Sequence, residues 1–406
     1  MSFCFYLPIK GKSLDILSII IDKIICIKVL TGQRRVGKSY ILMQLVDEII
    51  RKNPNANIIY VDKELQEFSD IRTSTQLYSF VEENLKEGAN YLLIDEVQEI
   101  ESFELALRSL LNEQKCDIYC TGSNAKMFSG ELATTLGGRY IEFPIYSLGY
   151  AEFIRFNQID DSNESLRKYL ILGGMPYLVH LGLDQDVTFE YLKSIYSTIL
   201  LRDVVSRESI RNVSFLENLV AFLADNTGSL FSAQNISKYL KSQQINLPTQ
   251  TILNYLRALG NSYFIYKVPR ADVKGMKIFE VGEKYYFEDL GLRNAIRRFD
   301  FRSDVNKLME NVVYMELKRR GYDVYVGKMG DKEIDFVAEK GENRIYVQVA
   351  YMLTDQATID REFGNLLELS DHYPKYVVTM DELPVGGNYQ GVRQIHLREF
   401  LMMNLS

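Results

Sequence analysis

The chain has 406 residues, 47 Lys+Arg against 54 Asp+Glu for a formal net charge of −7, and 47% hydrophobic residues, which predicts two or three globular domains rather than one core. That acidic balance excludes a broad electrostatic grip on nucleic acid and leaves only a local basic face for such a role. No run approaches the ~20 apolar residues of a membrane span.

The apolar N-terminal stretch is broken by Asp15, Asp22, Lys23 and Lys28 and is followed by no small-residue cleavage site, so a cytoplasmic chain is expected. Four cysteines (Cys4, Cys26, Cys116, Cys120) and three His are too few and too dispersed for a metal–sulfur site, and the cysteines read as reduced thiols. The first element in chain order is a buried strand, Ile24 to Leu30. It runs into Thr31-Gly32-Gln33-Arg34-Arg35-Val36-Gly37-Lys38-Ser39, which fits the phosphate-loop pattern G-x-x-x-x-G-K-[ST]. Such a loop needs glycines because its backbone wraps a phosphate with the N–H groups turned inward. Lys38 is placed to reach the β- and γ-phosphates, and Ser39, opening a helix, to put its hydroxyl on Mg²⁺. Ile41, Leu42, Leu45, Val46 and Ile49 supply the apolar stripe of that helix. Arg34 and Arg35 exceed what a backbone cradle requires. They are expected to contact phosphate or to pair with an acidic partner in another domain.

Short apolar strands follow at Ile58–Asp62, Tyr91–Glu96, Asp117–Asn124 and Tyr140–Phe143, separated by helical patterns, which predicts a parallel sheet covered on both faces. The strand ending in Asp95 places a carboxylate at the ligand-binding edge, where it can hold Mg²⁺ through water, and Glu96 is the candidate general base. Asn124 or Ser123 is positioned to orient the attacking water. Arg139 is a candidate for neutralising transition-state charge, in its own subunit or in a neighbour's site, which leaves an oligomer open.

Taken together, Thr31 to Ser39, Leu93-Ile94-Asp95-Glu96-Val97-Gln98, Thr121-Gly122-Ser123-Asn124 and Gly137-Gly138-Arg139-Tyr140 resemble the archaeal-type AAA-related ATPases, whose usual partner domain is a C-terminal one of unknown function with a restriction-endonuclease-like core. The resemblance covers nearly the whole chain and implies ATP rather than GTP. It implies no pathway. The implied fold class is α/β multidomain: a P-loop NTPase parallel sheet over 1–147, a helical lid over 148–212, a winged helix-turn-helix over 213–300 and a restriction-endonuclease-like domain over 301–406.

Between Leu148 and Arg211 the pattern is mostly helical, interrupted at Gly173-Gly174-Met175-Pro176. Ser232 to Leu240 and Pro248 to Leu259 read as two short helices with polar entries, and Tyr263–Tyr266 and Lys284–Phe287 as strands around a basic turn, Arg270 to Lys277. As a DNA reader, this module would put Gln250, Thr251 and Asn254 near base edges and Lys274 and Lys277 on phosphate. Its few basic residues serve equally a protein-docking role. In the C-terminal region a helix over Glu310–Arg320 precedes strands at Asp323–Val326, Glu333–Val337 and Arg344–Ala350, then a helix and the strand Lys375–Thr379. The resemblance assigns its acid, Asp, Glu/Gln and Lys positions to Glu310, Asp335, Gln348 and Ala350. Ala350 cannot activate water or stabilise phosphate charge, so loss of cleavage is expected, with nucleic-acid binding or scaffolding retained.

Overall fold

The structure, a computed structural model, describes residues 26–125, 135–208, 210–242, 248–273, 275–297, 300–353, 355–381 and 387–403. These residues form two compact units, the first within 1–146 together with 261–263 and the second within 147–260 together with 264–406.

The first unit is a five-stranded sheet of β1 (Ile27–Thr31), β2 (Asn57–Asp62), β3 (Asn90–Asp95), β4 (Asp117–Gly122) and β5 (Tyr140–Pro144), in the order β2-β3-β4-β1-β5. Every pairing is parallel, as the alternation of apolar strands and helical patterns predicts. Ile27, Val29, Ile59, Val61, Leu92, Ile94, Ile118 and Cys120 form one core with Leu77 and Val81 of α2 (Ser74–Asn84) and Leu107 and Leu110 of α3 (Phe103–Asn112). Helix α1 (Lys38–Lys52) buries Leu42, Leu45 and Ile49 outside that cluster, so both sheet faces are covered. Of the expected stripe, Ile41 and Val46 are only half-buried. The strand order matters chemically. β4 lies between β1, which leads into the loop, and β3, which ends in Asp95.

In the second unit α4 (Tyr150–Phe156), α5 (Asn163–Leu172) and α6 (Gln185–Thr198) lead into a π-helical segment, Ile199–Ser206. Helix α5 stops at Gly173, whose φ is 77°, and the pair of glycines there has a packing reason. A Cβ on Gly173 would lie 2.4 Å from Asp289 Oδ1, and one on Gly174 2.1 Å from the Leu148 carbonyl. Helices α7 (Val213–Asp225), α8 (Ala233–Ser242) and α9 (Thr249–Asn261) follow, then the hairpin β6 (Ile265–Asp272) and β7 (Ile278–Phe287). After α10 (Leu290–Ile296) and α11 (Phe301–Arg319) come β8 (Asp323–Met329), β9 (Lys332–Lys340), β10 (Asn343–Val349), α12 (Gln356–Leu367), β11 (Lys375–Thr379), β12 (Asn388–Tyr389), β13 (Val392–His396) and α13 (Leu397–Met402).

The hairpin expected as a wing joins this C-terminal sheet, whose order is β12-β13-β11-β10-β9-β8-β6-β7. Strand β6 pairs in parallel with β8 through Arg270↔Val326 to Asp272↔Lys328. The buried side chain of Asn311 on α11 fastens β7 by mimicking a neighbouring strand: its Oδ1 accepts from Phe287 N and its Nδ2 donates to Phe287 O, both at 2.8 Å. Lys277 is exposed, and Lys274 lies outside the described residues.

Candidate nucleotide site and a second lysine–carboxylate cluster

Loop geometry follows from its glycines. Gly32 (φ 148°) and Gly37 (φ 101°) both occupy positive φ, and a Cβ on Gly32 would stand 2.1 Å from the Ile145 carbonyl oxygen. The obstacle that demands glycine at 32 is therefore the chain's own backbone after β5. Lys38, buried at the start of α1, donates from Nζ to the Gly32 and Gln33 carbonyls, each at 2.9 Å, and lies 4.0 Å from Glu96 Oε1. Arg34 is buried and pairs with Glu64 Oε1 at 3.1 Å, an acid of the same unit rather than of another domain. Arg35 is exposed with φ 69°, and Val36 is buried.

The strand order brings the two candidate metal ligands together: Ser39 hydrogen-bonds the Asp95 carboxylate. Burial raises the Asp95 pKa, against the opposing hydrogen bonds from Ser39 and Thr121. For Glu96 burial also pushes upward, but the charges of Lys38 and Arg34 and hydrogen bonds from Gln98 and Ser123 outweigh it and hold the carboxyl below its usual range. It is thus an anion at neutral pH, as a base must be. Glu96 sits in the left-handed region (φ 55°, ψ 54°), an uncommon conformation for a side chain of its size. Thr121 holds it there. The Thr121 hydroxyl accepts the Glu96 N–H at 2.8 Å and donates to Asp95 Oδ1 at 2.5 Å, so a single β4 side chain fixes both acids. Ser123 Oγ donates to Glu96 Oε2 at 3.0 Å, and Gln98 donates to the same oxygen. Asn124 is buried beside Ser123 at the end of β4.

Arg139 is not brought to this group. Its carbonyl accepts from Ile27 N and it precedes the Ile27↔Tyr140 pair, so it stands at the N-terminal edge of the sheet, opposite the loop. Its guanidinium bonds Asn112 on the exposed surface. A role within its own subunit's site is therefore corrected, because parallel strands put the start of β5 a full strand length from the end of β1.

Sequence reasoning passed over the lysine of a second constellation. On β7 the buried Lys284 lies 2.7 Å from Glu310 Oε1, 3.0 Å from Glu333 Oε1 and 3.3 Å from Asp335 Oδ1. Tyr286 also donates to Glu310, while Asp335 Oδ2 accepts from Val349 N at 2.9 Å and the Gln348 side chain accepts from Asp335 N at 3.3 Å. Glu310, Asp335 and Gln348 are thus brought close to one another. Ala350 is buried past the end of β10, and the cluster's lysine comes from a different strand. Burial opposes the Lys284 charge, yet the three carboxylates outweigh it and raise its pKa. Burial lifts Glu310 to about 7 against the pull of Lys284. Of Lys284 itself, only the strand segment at 284–287 was visible in the sequence. Nothing in its pattern separates a wing strand from a strand that delivers a charge.

Elsewhere in this unit, Glu288 is buried with Oε1 accepting from Ser147 N at 2.7 Å, and Arg319 donates to Ser147 O at 3.1 Å. Asp289 Oδ2 accepts from Gly174 N at 2.7 Å, which explains the close approach that Gly173 and Gly174 permit.

A glycine-hinged loop between the first strand and its helix, with the helix-opening Ser39 bonded to the acid that ends β3, defines an AAA-type P-loop ATPase domain, and the family model described as AAA domain matches residues 26–154. A second model, Domain of unknown function (DUF8612), matches residues 163–303. The chain belongs to one family with an uncharacterized protein of Haemophilus influenzae, 35% identical over 360 residues (87% of this chain, 88% of that one), and an uncharacterized protein of Methanocaldococcus jannaschii, 30% identical over 349 residues (81% and 75%). Among solved structures, the Aeropyrum pernix ORC1 protein in complex with DNA is 11% identical, covers 74% of this chain and 95% of that one, and has a TM-score of 0.34. No helix among the described residues is long and apolar enough to cross a membrane.

Proposed function

We propose that this chain is a Mg²⁺-dependent ATPase whose nucleotide state switches the posture of a winged helix-turn-helix and of a C-terminal nuclease-like domain that no longer cleaves. The observation that carries the reading is the convergence of Lys38, Ser39, Asp95 and Glu96 at one edge of the parallel sheet. The residues fit the nucleotide. Both polar atoms of the Gln33 side chain are buried without a hydrogen-bond partner among the described residues, in a loop whose neighbouring carbonyls already occupy Lys38. An anion at the loop gives Lys38 a charged acceptor in place of neutral ones. Ser39 and Asp95 would hold Mg²⁺, which supplies charge neutralisation between the phosphates. Glu96 accepts the proton of the attacking water from a position fixed by Thr121, with Ser123 and Asn124 beside it to orient that water. Arg139, remote from its own site, could serve only a neighbour's, in an oligomer.

DNA, through α9 or the C-terminal unit, and a protein are the partners proposed. On α9, Gln250 and Asn254 are exposed and bonded to one another at 3.1 Å, and Arg257 is its exposed base. Lys38→Ala should abolish ATP hydrolysis and weaken binding, whereas Glu96→Gln should keep binding and lower turnover by about two orders of magnitude. Equal turnover in wild type and Glu96→Gln would remove Glu96 from the mechanism. The rival reading, a nuclease regulated by ATP, is tested on the same preparation. DNA given Mg²⁺ or Mn²⁺ and ATP should stay intact, and cleavage that vanishes in Asp335→Ala would replace the proposal with its rival.

A further inference from the structure

Gln98 follows Glu96 by two residues, a spacing that turns side chains away from each other along a helix. Here the backbone folds it back. Glu96 is left-handed and Val97–Glu99 make a single turn of 3₁₀-helix, and Gln98 Nε2 donates both to Glu96 Oε2 and, at 3.2 Å, to Ser123 Oγ. The direction of the amide follows from these neighbours. An ionised carboxylate only accepts, and the Ser123 hydroxyl gives its single proton to Glu96 Oε2 at 3.0 Å, so both turn an acceptor toward Gln98 and both require its NH₂ end. Gln98 Oε1 therefore faces away from them. It is buried and has no hydrogen-bond partner among the described residues. A buried amide oxygen without a donor is a costly arrangement, and one beside the general base points to a donor that arrives with the substrate.

The two oxygens of Glu96 are unequal as well. Oε2 accepts from Ser123 and Gln98, whereas Oε1 has Lys38 at 4.0 Å, beyond hydrogen-bond reach. Oε1 is thus the oxygen with capacity for a proton. A water held through one hydrogen swings about that bond, but a water held through both has its lone pairs fixed in direction. We propose that Gln98 Oε1 holds the second hydrogen of the attacking water while Glu96 Oε1 takes the first, so that one amide ties the base to the nucleophile. This inference rests on the ATPase reading and adds a residue to its hydrolytic step. The water oxygen bonds to the γ-phosphorus, the bond from that phosphorus to the bridging oxygen breaks with its electron pair leaving on ADP, and the water proton passes to Glu96 Oε1. Gln98 neither gains nor loses a proton.

The test measures single-turnover ATP hydrolysis across pH, ATP affinity and melting for the full chain as wild type, Glu96→Gln, Gln98→Met and Gln98→Glu. Hydrolysis by wild type that Glu96→Gln slows secures the ATPase reading, and its absence removes that reading and this inference together. With it secured, Gln98→Met, which offers the water no oxygen, should slow hydrolysis about a hundredfold at every pH while leaving ATP affinity and melting unchanged. Gln98→Glu keeps an oxygen at the water but sets a negative charge beside Glu96, which Lys38 and Arg34 hold ionised against burial, and so raises the pKa of the base. Its hydrolysis should be slow on the acid side and recover to within about tenfold of wild type as pH rises, a displaced profile that a packing role does not produce. Should Gln98→Met melt below wild type, the pH profile of Gln98→Glu carries the test. Wild-type hydrolysis by Gln98→Met overturns the proposal while the ATPase reading stands. A defect of Gln98→Met that lies in ATP affinity alone overturns it too, as does equal impairment of the Met and Glu variants at every pH, because the amide oxygen would then hold nothing during the step.

Discussion

Two buried lysines organise the two units, and they are held in opposite ways. Among the described residues Lys38 donates to neutral backbone carbonyls and lies 4.0 Å from the Glu96 carboxylate, whereas Lys284 is enclosed by three carboxylates within 3.3 Å. A phosphate outcompetes a carbonyl for an ammonium because the charge-assisted bond is roughly twice as strong, but it gains little against carboxylates already in contact. The first lysine is therefore available to an anionic ligand. The second is committed to the fold, and the same residue type performs recognition in one unit and internal neutralisation in the other.

The sharpest way to break that contrast is to replace each lysine by Met and measure folding and nucleotide binding separately. Lys284→Met should lose about 3 kcal/mol of stability because it leaves buried carboxylates without their counter-charge. Lys38→Met should remain within about 1 kcal/mol of wild type by chemical denaturation while losing nucleotide. Equal losses of stability would mean that Lys38 is as structural as Lys284.

A smaller effect sharpens the account of the first site. Thr121→Val removes the hydroxyl that fixes Glu96 and Asp95, and turnover should fall about tenfold with ATP affinity unchanged, while Thr121→Ser restores it. A fall in affinity instead of turnover would make Thr121 a packing residue.

The second unit carries a pH signature of its own. Burial raises Glu288 from its ordinary 4.5 to about 8, so the folded state holds a proton that the unfolded state has released across that window. Stability should then decline as pH rises from about 4.5 to 8 and level off above it, and Glu288→Gln should flatten the decline in melting temperature. An unchanged slope would place the titration elsewhere. The smallest effect concerns Lys277, exposed beside the hairpin turn: its replacement should lower the salt dependence of any DNA binding by about one ion, with sequence preference unchanged.

What the sequence disclosed depended on how far apart the cooperating residues lie. The loop from Gly32 to Ser39 and the acid pair Asp95-Glu96 are contiguous, each carried by one strand end, and a parallel sheet of alternating strands and helices then fixes their meeting. Arg139 shows the limit of that reasoning. It stands just before the strand predicted at Tyr140–Phe143, and the parallel pairing of that strand with β1 puts its start at the sheet edge away from the loop. Arg34 found its acid at Glu64, one loop away, because the turn after β2 passes the phosphate loop. The place of Lys284 beside Glu310 and Asp335 was illegible for a different reason. The three are spread from 284 to 335, and their meeting depends on β6 pairing with β8 and on Asn311 clasping β7, neither of which leaves a periodic trace.

All four cysteines lie within residues 1–146, and the second unit has none. Cys26, Cys116 and Cys120 are buried free thiols, and burial pushes the last two up to about 12. They are silent toward alkylating reagents until the sheet that carries them opens. In a Cys4→Ser background, the rate of thiol labelling is thus a clock for the ATPase sheet alone. Read with and without ATP, it reports how strongly the nucleotide holds that unit closed while registering nothing from the other half of the molecule.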